Sequence, residues 1–320
     1  MEQTARGACM QDEAAIRRLK ALYRQYGYKP FRMSRFEEYD FYADNKSFLQ
    51  SENVITFTDL NGKLMALKPD VTLSIVKSAS DTETEKVFYS ENVYRADSGK
   101  GERSFSEIMQ VGLECIGEIG VYETSEVLSL AGKSLQSFSE AFALDISHMG
   151  FVRGLLAQSG LDFPQQARAL SCIGSRNENG LRALCVGLDE KTAEGLCLLA
   201  SLYGDIPTLL PRLRAVRGNA QTDAALCELA ALSDVLCGCG WADKVHLDFS
   251  IVNDMSYYNG VIFRGFLSGV PCSVLSGGRY DNLMRKMGKT AGAIGFGVYM
   301  NVLEQYLYAA EGYDADVRLT

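Results

Sequence analysis

Two long β-rich segments are the feature that most restricts the fold of this chain. They cover residues 86–95 and 105–117, and a polar, glycine-containing loop at 96–104 joins them. A shorter pair of strand segments, 54–60 and 63–68, flanks Asn61-Gly62, two residues that tolerate the positive φ angles of a tight hairpin turn. Each pair therefore predicts two antiparallel strands.

Helical patterns surround these strands. Apolar spacing predicts helices at 12–26 and 120–142, a short helix that ends at Ser78, and a strand at 143–149. From 163 to 242 the pattern is Leu- and Ala-rich and helical, and strand signals resume at 244–252, 261–267 and 273–275. A short helix from Tyr280 and a final helix at 297–310 are expected to follow. We predict an α/β (α+β) fold in which residues 1–162 and 243–320 build one antiparallel sheet flanked by helices, with an all-helical insertion at 163–242.

Composition disfavours several classes of function. The 320 residues carry 32 basic and 40 acidic side chains, and the formal charge of −8 argues against a wide surface that grips a polyphosphate backbone. Nine cysteines without framework spacing, no signal peptide and no apolar run of ~18 residues indicate reduced thiols in a cytoplasmic protein that does not enter a membrane.

Metal and cofactor sites are also disfavoured. With only His148 and His246, a zinc site or a histidine-based triad is not expected, and each histidine is predicted to have a hydrogen-bonded structural role. The glycine motifs of P-loop and Rossmann proteins are absent from the sequence. We therefore expect no metal and no cofactor.

A candidate site is formed by polar residues that interrupt or end apolar strand segments: Asp70, Thr72, Gln110, Glu114, Tyr257 and Tyr258. Gln110 and Glu114 lie four residues apart on one strand, so they face the same side. If these faces converge, Glu114 and Asp70 create an acidic pocket suited to the ammonium group of a small cation or an amino acid. The alternative is that Gln110 and Glu114 line a solvated strand face.

Two further segments could bind a ligand. Arg95 precedes a Gly-Lys-Gly-Glu-Arg loop that could bind an anion, although an exposed hairpin tip explains the loop equally well. Residues 276–281 (Ser-Gly-Gly-Arg-Tyr-Asp) could cradle a ligand, since paired glycines allow close approach of the backbone, or could form a tight strand-to-helix turn.

Several of these segments resemble the catalytic domain of class II histidyl-tRNA synthetases and, more closely, the regulatory subunits of ATP phosphoribosyltransferase. The resemblance spans roughly residues 10–305. Its motifs are Leu-Lys-Pro-Asp-Val-Thr at 67–72, Val-Tyr-Arg-Ala-Asp at 93–97 with Gln-Val-Gly-Leu-Glu at 110–114, Ser-Tyr-Tyr-Asn-Gly at 256–260, and Ser-Gly-Gly-Arg-Tyr-Asp-Asn-Leu at 276–283. It implies a class II synthetase-like antiparallel sheet.

The resemblance also implies a histidine-binding site and a role for each residue in it. Gln110 and Glu114 would hold the ammonium group of the amino acid, and Asp70 and Thr72 would complete that pocket. Arg95 would lie at the ligand carboxylate or phosphate. The imidazole ring would be enclosed by Tyr257 and Tyr258.

Departures from the synthetase pattern change the implied function. Asn253 and Val302 stand where the synthetase has arginines that act on ATP, and Ser34 replaces the proline of its first motif. A neutral amide cannot replace a fixed bidentate cation at a developing phosphoryl charge. We also expect no anticodon-binding module after Thr320. The implied protein has no catalytic residue: it is a non-catalytic regulatory subunit of short-form ATP phosphoribosyltransferase, required for the first step of histidine biosynthesis and its feedback control by histidine.

The implied partners are the catalytic subunit in a hetero-oligomer, a second copy in a self-dimer, and histidine, with no tRNA and no membrane. Two alternatives stay open. One is a divergent histidyl-tRNA synthetase-like amino-acid-activating enzyme in which Arg264, Arg279 or Lys286 replaces the missing arginines. The other is a free-standing RNA-binding module, which the charge of −8 opposes.

Overall fold

The computed structural model describes residues 2–49, 53–81, 83–96, 104–251 and 257–304. Its strands are β1 (Lys29–Pro30), β2 (Phe36–Glu38), β3 (Thr56–Thr58), β4 (Leu64–Leu67), β5 (Glu85–Ala96), β6 (Phe105–Gly117), β7 (Phe142–His148), β8 (Tyr203–Asp205), β9 (Val245–Asp248), β10 (Val261–Leu267), β11 (Leu275–Arg279) and β12 (Gly292–Tyr299). Within the described ranges they form a nine-stranded sheet, in the order β1-β5-β6-β12-β11-β10-β7-β9-β8, and a small sheet, in the order β2-β4-β3.

The helices are α1 (Glu2–Gln25), α2 (Tyr39–Asp44), α3 (Thr72–Ser78), α4 (Val121–Gln136), α5 (Met149–Ser159), α6 (Phe163–Gly174), α7 (Glu178–Leu184), α8 (Glu190–Ser201), α9 (Ile206–Val216), α10 (Ala220–Gly238) and α11 (Asp281–Lys286). A further helix begins at Met300. The main apolar core includes side chains of α1, α4 and α5 together with those of the large sheet. A second core joins α3 and α11 to β5. Mixed helices and strands around one large sheet confirm the predicted fold class.

Both predicted hairpins are present. β5 and β6 pair antiparallel over their whole lengths, and β3 and β4 are antiparallel around a turn in which Gly62 has φ of +81°. A left-handed φ is easily adopted only by glycine, which explains the strength of the Asn61-Gly62 signal. The large sheet is antiparallel except for two parallel pairs, β1 with β5 and β7 with β9.

Residues 163–242 are mainly helical, as predicted, because five consecutive helices begin with a strong cap. An Asp or Asn side chain accepts a backbone N–H at the start of each helix from α6 to α10: Asp162, Asn177, Asp189, Asp205 and Asn219. The prediction that this stretch is entirely helical is wrong, since β8 extends the large sheet by pairing with β9. Three residues are too few to show a strand period in the sequence.

Two other expectations are wrong, and one helix was not predicted. The final helix does not start at Gly297, because residues 292–299 form β12 between β6 and β11. The glycine pair at 277–278 lies inside β11 rather than in a turn. Helix α5 was not predicted. Helix α4 ends at Gln136, which is earlier than the predicted end at residue 142. Glycine weakens the strand signal in β11 and β12, so only their pairing identifies them.

Two structural predictions about side chains are confirmed in part. His148 caps α5 by accepting the N–H of Gly150 on Nδ1 at 3.1 Å, and its Nε2 lies 3.0 Å from Glu228 Oε2. The eight cysteines whose side chains the structure describes are free thiols.

No helix among the described residues is both long and apolar enough to cross a lipid bilayer.

Candidate functional site

The structure brings all seven predicted site residues together around one small pocket. We call it the inner pocket, and it lies on the large sheet where β5, β6, β11 and β12 meet the turn before α3. Its lining is Asp70, Thr72, Tyr89, Arg95, Gln110, Glu114, Tyr257, Tyr258, Ser276, Gly277, Tyr280, Gly295, Phe296, Gly297 and Tyr299. Gln110 and Glu114 are 5% and 2% exposed, so the alternative of a solvated strand face is wrong.

Glu114 is the central side chain of the inner pocket. Thr72 Oγ1 donates to its Oε1 at 2.9 Å, and the hydroxyl of Tyr280 donates to its Oε2 at 2.6 Å. The carboxyl group lies over Gly295 on the neighbouring strand β12, where a Cβ atom would overlap Oε2. A glycine at this position is therefore needed for Glu114 to keep its place in the sheet.

Burial dominates the electrostatics of Glu114. It raises the pKa of this carboxyl group to about 8, against the lowering effect of the Tyr280 and Thr72 hydrogen bonds, and the nearby Asp70 raises the pKa further. Burial by itself disfavours the charged form, and the site supplies neutral hydroxyl donors rather than a cation. Burial therefore favours the protonated form of Glu114, and a cationic group in the pocket would favour the carboxylate.

Asp70 is the second carboxylate of the inner pocket. Its Oδ1 accepts the backbone N–H of Leu73 at 3.0 Å, which stabilises the start of α3, and its Oδ2 lies 3.7 Å from Arg95 Nη2. Burial raises the pKa of Asp70, and Arg95 opposes that shift. Asp70 therefore has a structural role at the start of α3 as well as a place in the pocket lining.

Arg95 already has protein partners in this arrangement. Besides its ion pair with Asp70, its Nε donates to the carbonyl of Pro69 at 2.9 Å. The guanidinium group thus holds the Asp70 turn against β5. Its predicted contact with a ligand carboxylate or phosphate stays a prediction.

Aromatic rings form the wall of the inner pocket on the side of β10. The rings of Tyr257 and Tyr258 are 4.5 Å apart, and Tyr257 also contacts Tyr280 and Phe48 at 5.9 and 5.8 Å. Arg153 Nη2 donates to the carbonyl of Tyr258 at 2.8 Å, which fixes this segment to α5. Such a cluster suits a flat ring with an apolar face.

Sequence reasoning missed three tyrosines of the inner pocket. Tyr280 carries the donor to Glu114, Tyr89 lies across β6 and β12, and Tyr299 bonds to the hydroxyl of Ser276 at 2.6 Å. Tyr89 and Tyr299 pair with Gly112 and Gln110 in the sheet. Gln110, Gly112 and Glu114 are alternate residues of β6 and share one face, so their pairing partners lie on that face too. The sequence could have placed the tyrosines there only if the register of the strands had been known.

A second, larger cavity adjoins the inner pocket, and we call it the outer cavity. It has a volume of about 580 Å³ and shares Asp70, Tyr257, Tyr258, Ser276, Gly277 and Tyr299 with the inner pocket. Residues 252–256, which include Asn253, and the loop at 97–103 lie outside the described residues. Within the part of the chain that is described, no group of three or more His, Cys, Asp or Glu side chains could hold a metal ion.

Comparisons with known proteins agree with the fold and the motifs. The family model described as histidyl-tRNA synthetase matches residues 6–303. A curated ATP phosphoribosyltransferase regulatory subunit from Symbiobacterium thermophilum is 32% identical over 95% of this chain and 80% of that protein. The subunit of the same name from Ruminiclostridium cellulolyticum is 25% identical over 92% of this chain and 72% of that protein.

Solved structures of similar fold carry the same family names. An ATP phosphoribosyltransferase regulatory subunit/histidyl-tRNA synthetase from Bacillus halodurans is 27% identical, with a TM-score of 0.81 over 92% of this chain and 78% of that chain. A chain of the ATP phosphoribosyl transferase complex from Thermotoga maritima, 18% identical, has the same fold, with a TM-score of 0.71 over 89% of this chain and 96% of that chain. The chain therefore belongs to the histidyl-tRNA synthetase family and, within it, to the ATP phosphoribosyltransferase regulatory subunits.

Proposed function

We propose that this chain is a non-catalytic subunit of a short-form ATP phosphoribosyltransferase and acts in the first step of histidine biosynthesis. The observation that carries the proposal is its 32% identity, over 95% of its length, to a protein named as the regulatory subunit of that enzyme. Val302, in place of a synthetase arginine, offers no donor to a triphosphate, which supports a role without chemistry. The catalytic subunit would carry out the condensation of ATP with phosphoribosyl pyrophosphate.

We further propose that the inner pocket binds histidine. The ammonium group would lie between Glu114 and Asp70 with the amide of Gln110 beside it, because two buried carboxyl groups attract a cation strongly. The imidazole ring would lie against Tyr257 and Tyr258. Since Glu114 has a pKa of about 8, binding of an ammonium group would release its proton, and affinity should rise between pH 6 and 8.

Regulation would follow from linkage between histidine and assembly state. A ligand shifts an equilibrium only through its different affinities for the two states, and typical couplings are ~1–3 kcal/mol. Arg153 connects the pocket to α5 through the Tyr258 carbonyl. His148, the N-cap of α5, in turn contacts Glu228 on α10. Histidine that orders the Tyr258 segment could thus favour one arrangement of these helices.

The proposed assembly contains the catalytic subunit and a self-dimer of this chain, in the cytoplasm, with no tRNA. The net charge of −8 supports the absence of tRNA, because RNA binding depends on basic side chains that neutralise phosphates. Salt-dependent tRNA binding by the isolated chain would contradict this part of the proposal. Light scattering of the isolated chain tests the self-dimer.

The deciding experiment is reconstitution with the catalytic subunit from the same organism. The two chains should co-purify, the condensation rate should rise when this chain is added, and histidine should lower that rate. Failure of the chains to associate, together with an unchanged rate, would refute the regulatory role.

The competing function is amino-acid activation. It is favoured by the likeness to a solved histidine–tRNA ligase subunit from Alicyclobacillus acidocaldarius, 26% identical over 95% of this chain and 94% of that chain, with a TM-score of 0.76. Exchange of labelled pyrophosphate into ATP in the presence of histidine measures that reaction directly. We expect no exchange, and clear turnover would replace the regulatory proposal.

A further inference from the structure

The outer cavity differs from the inner pocket in its ionisable side chains. Among the described residues that line it, the acidic and basic side chains are Asp70 and Arg264. Asp70 Oδ2 lies 3.7 Å from Arg95 Nη2, which compensates part of its charge. Arg264 has no such compensation from the lining.

Arg264 projects from β10 without a counterion among the described residues. It makes no hydrogen bond and no ion pair with any described residue, even though its charged side chain is half-buried. Asp145 is its direct neighbour across the β7–β10 ladder, but no salt bridge joins the two, and Asp145 Oδ1 lies 3.5 Å from His246 Nδ1 instead. The guanidinium group of Arg264 is therefore available to the cavity, where it can offer a planar, bidentate set of donors.

A second cation and several hydroxyl groups lie around the same cavity. Lys286 Nζ donates to Ser47 Oγ at 3.2 Å and lies 5.0 Å from the ring centroid of Phe48, and both of those residues line the cavity. Ser276 and Tyr299 bond to each other, which leaves one of their two hydroxyl hydrogens free to donate. Arg279, by contrast, is paired with Asp281 at 2.8 Å and does not line the outer cavity.

We propose that the outer cavity is a second ligand site, which binds a small aromatic or apolar molecule bearing a phosphate or carboxylate group. The anionic group lies at Arg264 and the Ser276–Tyr299 hydroxyl pair, and the body of the ligand lies against Phe48 and Ile262. Lys286 at the rim attracts the anion as it enters.

The charged groups of the two cavities lie on different strands of the large sheet. Glu114 is on β6 and Arg264 is on β10, and two strands, β12 and β11, lie between them. At a strand spacing of about 4.8 Å, the two backbones are roughly 14 Å apart. The cavities share Tyr257 and Tyr258, so titrations with histidine and with an anionic ligand are needed to show that they bind independently.

Phenyl phosphate and benzoate are suitable probes because they share a ring and differ only in the anionic group. We expect calorimetric titration of the full chain to detect binding of at least one probe. The variant Arg264→Gln should lower its affinity by about tenfold or more, as the loss of a charged hydrogen bond does, and Arg264→Lys should retain part of it. Lys286→Gln, at the exposed rim, should have an effect of roughly two- to threefold.

A matched control is Arg182→Gln, which removes the same charge on α7, where Arg182 pairs with Glu178 in its own helix. Its affinity for the probe should equal that of the unmodified chain. The site is refuted if neither probe binds, if Arg264→Gln and Arg264→Lys both bind as the unmodified chain does, or if Arg182→Gln weakens binding equally. Preference for phenyl phosphate assigns a phosphate ligand, and preference for benzoate assigns a carboxylate.

Titration with histidine keeps this proposal separate from the proposed function. Arg264→Gln should bind histidine as the unmodified chain does, whereas Glu114→Gln should lose histidine affinity and still bind the probe. Loss of both ligands in Arg264→Gln, with an unchanged unfolding temperature, would show that the two cavities are one site.

Discussion

Two buried carboxyl groups on the large sheet, Glu114 and Asp145, have similar burial and different surroundings. Glu114 receives two hydroxyl donors and faces a pocket. Asp145 belongs to a cluster at the β7–β9 edge, which we call the edge cluster: Asp145, Arg176, Tyr203, His246 and Asp248. Here Asp145 Oδ1 and His246 Nδ1 are buried without a hydrogen bond to any described residue, and His246 stacks on Tyr203. The predicted hydrogen-bonded role is thus not found at Nδ1 of His246.

The pKa shifts of the two groups are alike, but their consequences are not. Burial and the neighbouring Asp248 raise the pKa of Asp145 to about 7, while Arg176, which pairs with Asp248 at 2.7 Å, opposes the shift. Asp145 lines neither the inner pocket nor the outer cavity. A raised pKa therefore marks burial at both places, and the cavity with its directed donors is what marks Glu114 as a candidate ligand group.

The largest expected effect comes from filling the space beneath Glu114. In Gly295→Ala the new Cβ would overlap Glu114 Oε2, so the side chain must move or the sheet must shift. We expect the free energy of unfolding to fall by about 1–3 kcal/mol, as in other overpacked cores, and histidine binding to be lost. Urea unfolding and calorimetry measure the two effects.

Gly238→Ala is the control for that substitution, because a Cβ atom added there would meet no other atom within 4 Å and the residue ends α10. Its unfolding free energy should stay equal or rise. An unchanged stability of Gly295→Ala would show that Glu114 does not need the glycine.

The next largest effect tests which of the two carboxyl groups holds a ligand. Glu114→Gln should weaken histidine binding by roughly 10- to 100-fold, since a charged hydrogen bond contributes about 1.5–3 kcal/mol. Asp145→Asn should leave the affinity unchanged. Equal losses in the two variants would remove the distinction between the inner pocket and the edge cluster.

The dependence of stability on pH separates the two groups further. A carboxyl group whose pKa is raised by folding keeps a proton that the unfolded chain has released, so its contribution to stability falls as pH rises from the unfolded to the folded pKa. This decline in stability ends near pH 7 for Asp145 and near pH 8 for Glu114. Between pH 7 and 8, Glu114 should thus lower the free energy of unfolding by up to about 1 kcal/mol.

Urea unfolding at pH 6, 7, 8 and 9 checks this expectation. Glu114→Gln should flatten the decline between pH 7 and 8, and Asp145→Asn should flatten it only below pH 7. The same decline in Glu114→Gln as in the unmodified chain would contradict the raised pKa.

The smallest effect concerns one hydroxyl group. Tyr280→Phe removes the donor to Glu114 Oε2 and should cost about 0.5–1.5 kcal/mol of unfolding free energy. Because this hydrogen bond lowers the pKa of Glu114, its loss should move the midpoint of the pH transition upward. Tyr122→Phe is a control, since Tyr122 is exposed on α4, and it should change neither the stability nor the midpoint.

Much of the fold was predictable because its local signals agree with the final structure. The Asn61-Gly62 turn, the β5–β6 hairpin and the capped helices of residues 163–242 depend on neighbours within a few residues. Strands β8, β11 and β12 were missed or shifted because they are short or glycine-rich and gain their stability from distant partners. Predicted domain boundaries at 162 and 242 stay a prediction.

The sequence by itself determined which residues could form a site: Gln110 and Glu114 interrupt an apolar strand, and Asp70 and Thr72 follow the end of another. Only the tertiary structure decided what each of them contacts. Register between strands far apart in the chain set Gly295 beneath Glu114, Arg95 beside Asp70 and Arg264 in the outer cavity, where no described residue is its counterion. A one-residue change of register moves a side chain to the other face of a sheet, so contacts of this kind are fixed by global pairing and not by local pattern.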